Sequence, residues 1–488
     1  MEAVKIAMKN TDSSQKDSEN VKCTRNESGS TDIQEEDLKS DIQKKLSMTS
    51  CPYTWGMEKL LTDNVFEWED TDREEILSEI MGIMMMLLKA NVYDNKKKID
   101  DALEEIQKAE DVFKLLLGSI PDDQKYLLNV LRHIIFSTKG HVLYGAKQFK
   151  EAQIALKETY VHNVLNLTDK ELGSLYGCQA IAWSLFRINT GQKTLELVKR
   201  AIEKDNKNAH WYFFLGKTLR RLRRFNLYRT FPSNEEMEAF GKAFSLSQCP
   251  TMGIYYAQSK AESKQQFEAR SIYTQIFNLE QKSFKVQLRL ALGFIRLRMS
   301  TEAKQCLNLA GRENPENVTY LHYMGMYLDL CCKKSKEALD YYKLAGERGN
   351  SASYWSYMSC MRKLNKNYNP REDLCKMLDK CEEDDNVLKQ KLLLHIAECY
   401  EYMDRDMNQA AEYYLKAVTI DPKGAILNEH SSILNCTHLN AWNSIEHNVL
   451  RRLADKNSIL YKELMNFCRR RKEYEKLPFT KELQNIAL

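Results

Sequence analysis

Between Lys199 and Thr230 this 488-residue chain carries ten lysines and arginines against two acids, Glu203 and Asp205. Four of those cations fall in the pentad Arg220-Arg221-Leu222-Arg223-Arg224. Basic and aromatic side chains keep returning on either side of it. Trp183 and Arg187 precede it, Lys217 lies within the window, and Tyr255, Tyr256, Lys285, Arg289 and His322 follow. Ammonium and guanidinium groups bind phosphates, and the planar arginine fork suits a terminal phosphate group. Rings stack on unpaired bases. Cations interleaved with aromatics therefore suit single-stranded nucleic acid, although the same side chains would also hold an acidic peptide. A charge run alone is ordinarily a solvated face, so the reading depends on a fold that brings successive cations to one surface.

Catalysis has no comparable signature. The chain lacks a phosphate-cradling GxxxxGK loop, a GxGxxG, an HExxH and a GxSxG. Its thirteen cysteines include no CxxC pair, and Cys331-Cys332 has no zinc-like spacing around it. They read as buried reduced thiols, and neither a metal nor a cofactor is expected. The sequence points to a binding protein rather than an enzyme.

Composition constrains the elements that must position these residues. Proline (8) and glycine (18) are too scarce for a sandwich or barrel, while 43% hydrophobic and 29% charged residues suit a sizeable core. The net charge of +4 excludes a gross polycation. The longest apolar run, Ile80 to Leu88, falls far short of the roughly 20 residues a membrane span needs, and the start lacks a secretory core. A soluble, cytoplasmic protein with no membrane partner is expected.

Residues 1–48 are polar and charged and read as a disordered tail. From Cys51 onward a small–large–small pattern recurs at spacings of four and three. It is clearest in Ala303/Leu307/Ala310, Ala338/Tyr342/Ala345 and Ala410/Tyr414/Ala417, and it is present in Ala269/Tyr273/Ile276. Weaker copies are Ala102/Ile106/Ala109, Ala152/Leu156/Thr159, Thr194/Val198/Ala201, Glu236/Phe240/Ala243 and Leu374/Leu378/Cys381. The leading positions step by 50, 42, 42, 33, 34, 35, 36 and 36 residues. A period near 34 with this pattern is the tetratricopeptide repeat. Small residues let paired helices approach, and the large residue fills the seam. The fold class is all-α: a superhelix of about nine helix-turn-helix repeats with a basic concave groove. The expected parts are an N-terminal subdomain (49–223), a middle array (224–425) opening with an irregular insertion (224–236), and a C-terminal helical region (426–488) with a basic helix.

Several segments, in order, resemble the interferon-induced proteins with tetratricopeptide repeats. They are Cys51-Pro52-Tyr53-Thr54-Trp55, Lys139-Gly140 through Phe149-Lys150-Glu151-Ala152-Gln153, and Leu219-Arg220-Arg221-Leu222 through Phe231-Pro232. Leu288-Arg289-Leu290-Ala291, Tyr320-Leu321-His322-Tyr323-Met324-Gly325 and Val449-Leu450-Arg451-Arg452-Leu453 continue the likeness, which spans Cys51 to about Leu477. The resemblance implies a clamp for single-stranded RNA 5′ ends, triphosphate or capped, that sequesters transcripts and blocks their translation in antiviral defence. Other members of that family are protein scaffolds, and that alternative stays open. By the same resemblance Trp183 meets the first base or cap, and Arg187, Arg221 and Arg289 contact phosphates. His322 touches the RNA backbone, and Tyr255 or Tyr256 lies near a ribose. Lys217 and Lys285 join them as inward cations. On the first repeat helix this chain has Glu75 and Glu79 where RNA-binding members place polar or basic groups. Carboxylates there would repel a triphosphate. Implied partners are RNA, other tetratricopeptide proteins of the family or translation factors, and homo- or hetero-oligomers.

Overall fold

The computed structural model describes residues 28–61, 76–120, 124–159, 166–186, 190–226, 231–279, 283–381, 385–434 and 438–476. Glu75 and Arg187 lie outside them. The chain divides into two compact units, Met1–Asn206 and Lys207–Leu488.

In the first unit, the helices Ile76–Asn95, Lys125–Gly145 and Asp169–Ser184 each pack against the helix that follows. Those partners are Ile99–Leu117, Phe149–Lys157 and Gly191–Lys204. The expected disordered tail needs correction over 28–47, because Ser28–Ser47 is a helix, while residues 1–27 lie outside the described residues. Leu38, Ile42 and Leu46 recur every fourth residue and form a stripe that packs on Leu143, Ala152, Ala155 and Leu156. Average composition hid this stripe among charged neighbours. The Cys51–Trp55 segment is a structural plug. Cys51 is fully buried, Trp55 Nε1 donates to Ser50 Oγ at 2.8 Å, and the Tyr53 hydroxyl donates to Asp94 at 2.7 Å.

In the second unit the pairing continues six times. The leading helices are Ala209–Asn226, Pro250–Glu262, Phe284–Arg296, Val318–Met326, Ser351–Leu364 and Asn386–Glu398. Their partners are Asn234–Ser247, Gln266–Phe277, Ser300–Glu313, Ser335–Glu347, Arg371–Asp379 and Met407–Ile420. The leading position of each of the nine repeat triplets thus sits on the second helix of a pair among the described residues, while Thr159 and Cys381, the last members of two weaker copies, lie just past their helices. Their leading alanines, Ala102, Ala152, Ala269, Ala303, Ala338 and Ala410, are fully buried. Glycine on the facing helix completes the seam. A Cβ on Gly293 would lie 2.4 Å from the Tyr273 ring, and one on Gly325 2.7 Å from the Tyr342 ring. Between Ala102 and Pro422 the described residues contain no strand. The one strand pair among the described residues, His430–Ser431 with His438–Leu439, follows the array. After it, Trp442, Ile445 and Leu464 pack on Tyr414 and Ala417.

The turns inside the pairs explain how so little glycine suffices. Lys97, Lys147, Lys264, Arg298, Lys333 and Arg405 all adopt the left-handed conformation, with φ between 57° and 63°. The next N–H closes the turn on the preceding helix, as in Gln148 N to Leu143 O, Gln265 N to Lys260 O and Met299 N to Phe294 O, each 2.9 Å. Long basic side chains occupy the place where glycine is usual, at a cost of about 1–2 kcal/mol per residue. No helix of the described residues is long and apolar enough to cross a membrane.

Candidate nucleic-acid interface

The arginine run in Ala209–Asn226 splits by helical geometry. Arg220 turns inward and is buried. Its guanidinium donates to Glu236 at 3.2 Å, to Gln258 at 3.1 Å and to the Tyr255 carbonyl at 3.3 Å. Arg223 pairs with Glu236 at 2.9 Å and with Glu262 at 2.7 Å, and Arg224 pairs with Glu262 at 2.9 Å. Burial favours the neutral acid at Glu262, but the three guanidiniums outweigh it and hold the carboxyl below its usual range. Three of the pentad's four arginines are therefore engaged by two acids. Arg221, like Arg224, is exposed.

Lys217, Tyr255 and Arg289 come together around one ring cluster. Phe213 meets Tyr255 edge-on with centroids 5.0 Å apart, and Phe240 lies 5.5 Å from Tyr255. Lys217 Nζ stands 5.6 Å from the Phe213 centroid. The Arg220 and Arg289 guanidiniums stand 5.1 and 5.4 Å from the Tyr255 centroid. Tyr255 is half-buried, so the cluster reaches the surface. Lys285 precedes Arg289 by one helical turn and is also half-buried.

The other two expected residues lie elsewhere. Tyr256 packs over Gly241, where a Cβ would come within 3.1 Å of the ring, and Lys260 stands 5.6 Å above it. His322 Nδ1 shares a 2.8 Å hydrogen bond with Ser353 Oγ and sits 5.8 Å from the Tyr342 ring. Burial lowers its pKa, so at neutral pH it offers a hydrogen bond rather than a charge. In the first unit, Trp183 is half-buried on the last turn of Asp169–Ser184, and its carbonyl accepts from Thr190 Oγ at 2.7 Å. Glu79 is half-buried in the first turn of Ile76–Asn95.

Sequence reasoning passed over three features. Glu236 fills the small-residue slot of its repeat triplet, and that misfit was the visible signal of a buried ion pair. Tyr323 lies within the field of Arg289 and Arg296; burial raises its hydroxyl pKa and the two arginines oppose the rise. Farther along, Lys391 Nζ sits 4.4 Å over the Trp355 ring, a cation–ring pair between successive leading helices. The available signal was the return of an aromatic and a lysine at the same repeat interval as Tyr255 and Arg289.

No protein-family model and no curated protein matches the chain. Among solved structures, it is similar to a monomeric IFIT1 mutant with m7Gppp-AAAA, at 15% identity and a TM-score of 0.50. Human IFIT1 dimers with m7Gppp-AAAA and with PPP-AAAA align at 16% identity, with TM-scores of 0.49 and 0.48. Each alignment covers 89% of this chain and 100% of the other. At such identity the likeness concerns architecture: the chain has the tetratricopeptide-repeat fold of IFIT1.

Proposed function

We propose that the protein is an antiviral RNA-binding protein of innate immunity that holds single-stranded RNA by its 5′ end, triphosphate or capped, and blocks translation by sequestration. The carrying observation is the half-buried Tyr255 ring with the Arg289 guanidinium 5.4 Å from its centroid, and Lys217 on the adjoining Phe213. Rings beside cations supply a stacking surface and phosphate neutralisation together. The fold is that of IFIT1, a protein solved with m7Gppp-AAAA. In this reading Arg289, Lys285 and Arg221 take phosphates, Tyr255 supports a nucleotide, and His322 and Tyr256 contribute hydrogen bonds. Trp183 stacks on the first base or cap, and Arg187, which lies outside the described residues, takes terminal phosphates.

The test compares binding of one RNA bearing a triphosphate, a cap or a hydroxyl at its 5′ end, across a salt series. Discrimination between ends is expected, with log affinity falling by about 0.7 per neutralised phosphate for each log unit of salt. Trp183→Ala should weaken binding about 10- to 100-fold while leaving the melting temperature near its original value. A flat salt response, or equal binding of all three ends, would sink the proposal. It would favour the second reading, a protein-interaction scaffold of the same fold. One observation supports that alternative: two of the pentad's four positive charges are already balanced by Glu236 and Glu262.

A further inference from the structure

His395 and Glu398 stand one turn apart on Asn386–Glu398, and so project from one helix face. The chain returns to them through the strand pair after the repeats, which brings His430 Nε2 into contact with Glu398 Oε1. Nitrogen and oxygen atoms from the three side chains all lie within 4.8 Å of one another, and each residue is buried. His395 Nδ1 is 3.4 Å from Glu398 Oε2, and the two imidazole rings are 5.6 Å apart at 78°. Ser432 Oγ donates to Glu398 Oε2 at 3.0 Å, the kind of outer contact that orients a ligating carboxylate.

We propose that His395, Glu398 and His430 form a zinc site. Two imidazoles and one carboxylate make a three-ligand set that zinc takes together with a water. Bonds of about 2.0–2.1 Å put tetrahedral ligands roughly 3.3 Å apart, close to the His395–Glu398 spacing. Binding has only to part the His430–Glu398 hydrogen bond and admit the ion between them. Charge argues the same way. A fully buried carboxylate needs a compensating cation, and the ion-pair partners of Glu398 are two histidines that are charged only when protonated. Lys391, one turn before His395, is committed to the Trp355 ring. A divalent ion would balance Glu398 and tie the strand segment to the last repeat, a structural role independent of RNA binding.

The experiment uses the full chain, stripped with a chelator and titrated with Zn²⁺ against a chromophoric competitor. One saturable equivalent and a rise in melting temperature are expected. Glu398→Gln preserves the side-chain shape and should weaken the site at least tenfold; His430→Gln should do the same. Co²⁺ should give the visible bands of a tetrahedral site without a thiolate charge-transfer band. A thiolate band would assign the metal to cysteines and overturn the proposal. So would the absence of a saturable equivalent, or unchanged affinity in Glu398→Gln, the variant expected to fold even if His430→Gln does not.

Discussion

Glu236 and Glu398 are both fully buried carboxylates in the second unit, yet their surroundings differ in kind. Glu236 meets two guanidiniums, Arg220 and Arg223, whose charge is permanent. Glu398 meets two imidazoles and a hydroxyl, groups that can be neutral. The first arrangement is locked at every physiological pH. The second leaves the identity of its countercharge open to protons or to a metal. A buried acid thus becomes a structural rivet or an adaptable site according to what faces it.

The largest expected effect follows from the rivet. Glu236→Gln leaves Arg220 in a buried setting with its ion-pair partner removed, and should cost about 3–5 kcal/mol in urea or thermal unfolding. Glu398→Gln removes a charge from neutral-capable partners and keeps an oxygen for one of Ser432 and His430, which bond different carboxylate oxygens. Its cost, measured without added metal, should be nearer 1–3 kcal/mol. Equal losses would erase the distinction between the two carboxylates. As a reference, Ala410→Leu should cost about 1–3 kcal/mol by overpacking against its fully buried neighbours, with no change in charge.

Acid should sharpen the comparison further. His210 lies on the same helix as Arg220, and burial pushes its pKa down to about 4 from 6.5. Between those values the unfolded chain binds the proton and the folded chain does not, so stability falls as pH drops from about 6.5 toward 4. Glu262, held low by its arginines, adds a second loss only when pH falls below the ordinary carboxylate range, toward its depressed value. His210→Gln should remove its own share of the upper window, on the order of 1–3 kcal/mol between pH 7 and 4.5, while His141 keeps its share and the lower window stays. Guanidiniums do not titrate there, so a variant that also flattened the lower window would mean that His210, rather than the rivet, governs acid stability.

The architecture was legible because its signal is geometric and repeated. Ala303, Leu307 and Ala310 recur with the period of a helix pair, and nothing but packing selects them. The site was legible only as composition. Arg220 and Arg221 are adjacent and chemically identical, but 100° of helical rotation sends one into an acid pair and leaves the other exposed. That outcome depends on Glu236 and Glu262, 16 and 42 residues away in sequence, so residue type alone does not reveal it. Tyr255 and Tyr256 part in the same way, one toward Phe213 and Arg289, the other over Gly241. The tail was misjudged for a related reason: three apolar residues at four-residue intervals suffice to dock a helix, yet barely alter the composition of a 48-residue stretch.

The smallest expected effect belongs to Arg224. It stands at the exposed end of the same network, with its side chain 54% accessible and its pair to Glu262 at 2.9 Å. An exposed pair gains little Coulomb energy in water and must order a long side chain, so Arg224→Ala should cost about 0.2–1 kcal/mol. Glu262 keeps Arg223, which limits the loss further. The same variant bears on the RNA reading. If Arg224 is spent on Glu262, removing it should change RNA affinity by less than a single phosphate contact would. Arg289→Ala should instead lower affinity about tenfold and flatten the salt slope by about 0.7. Stability and RNA binding of the two variants, measured side by side, separate arginines that hold the helices together from arginines that meet the RNA. A loss of binding with Arg224→Ala as large as that with Arg289→Ala would mean that RNA competes Arg224 away from Glu262, and that the acid pairs gate the interface.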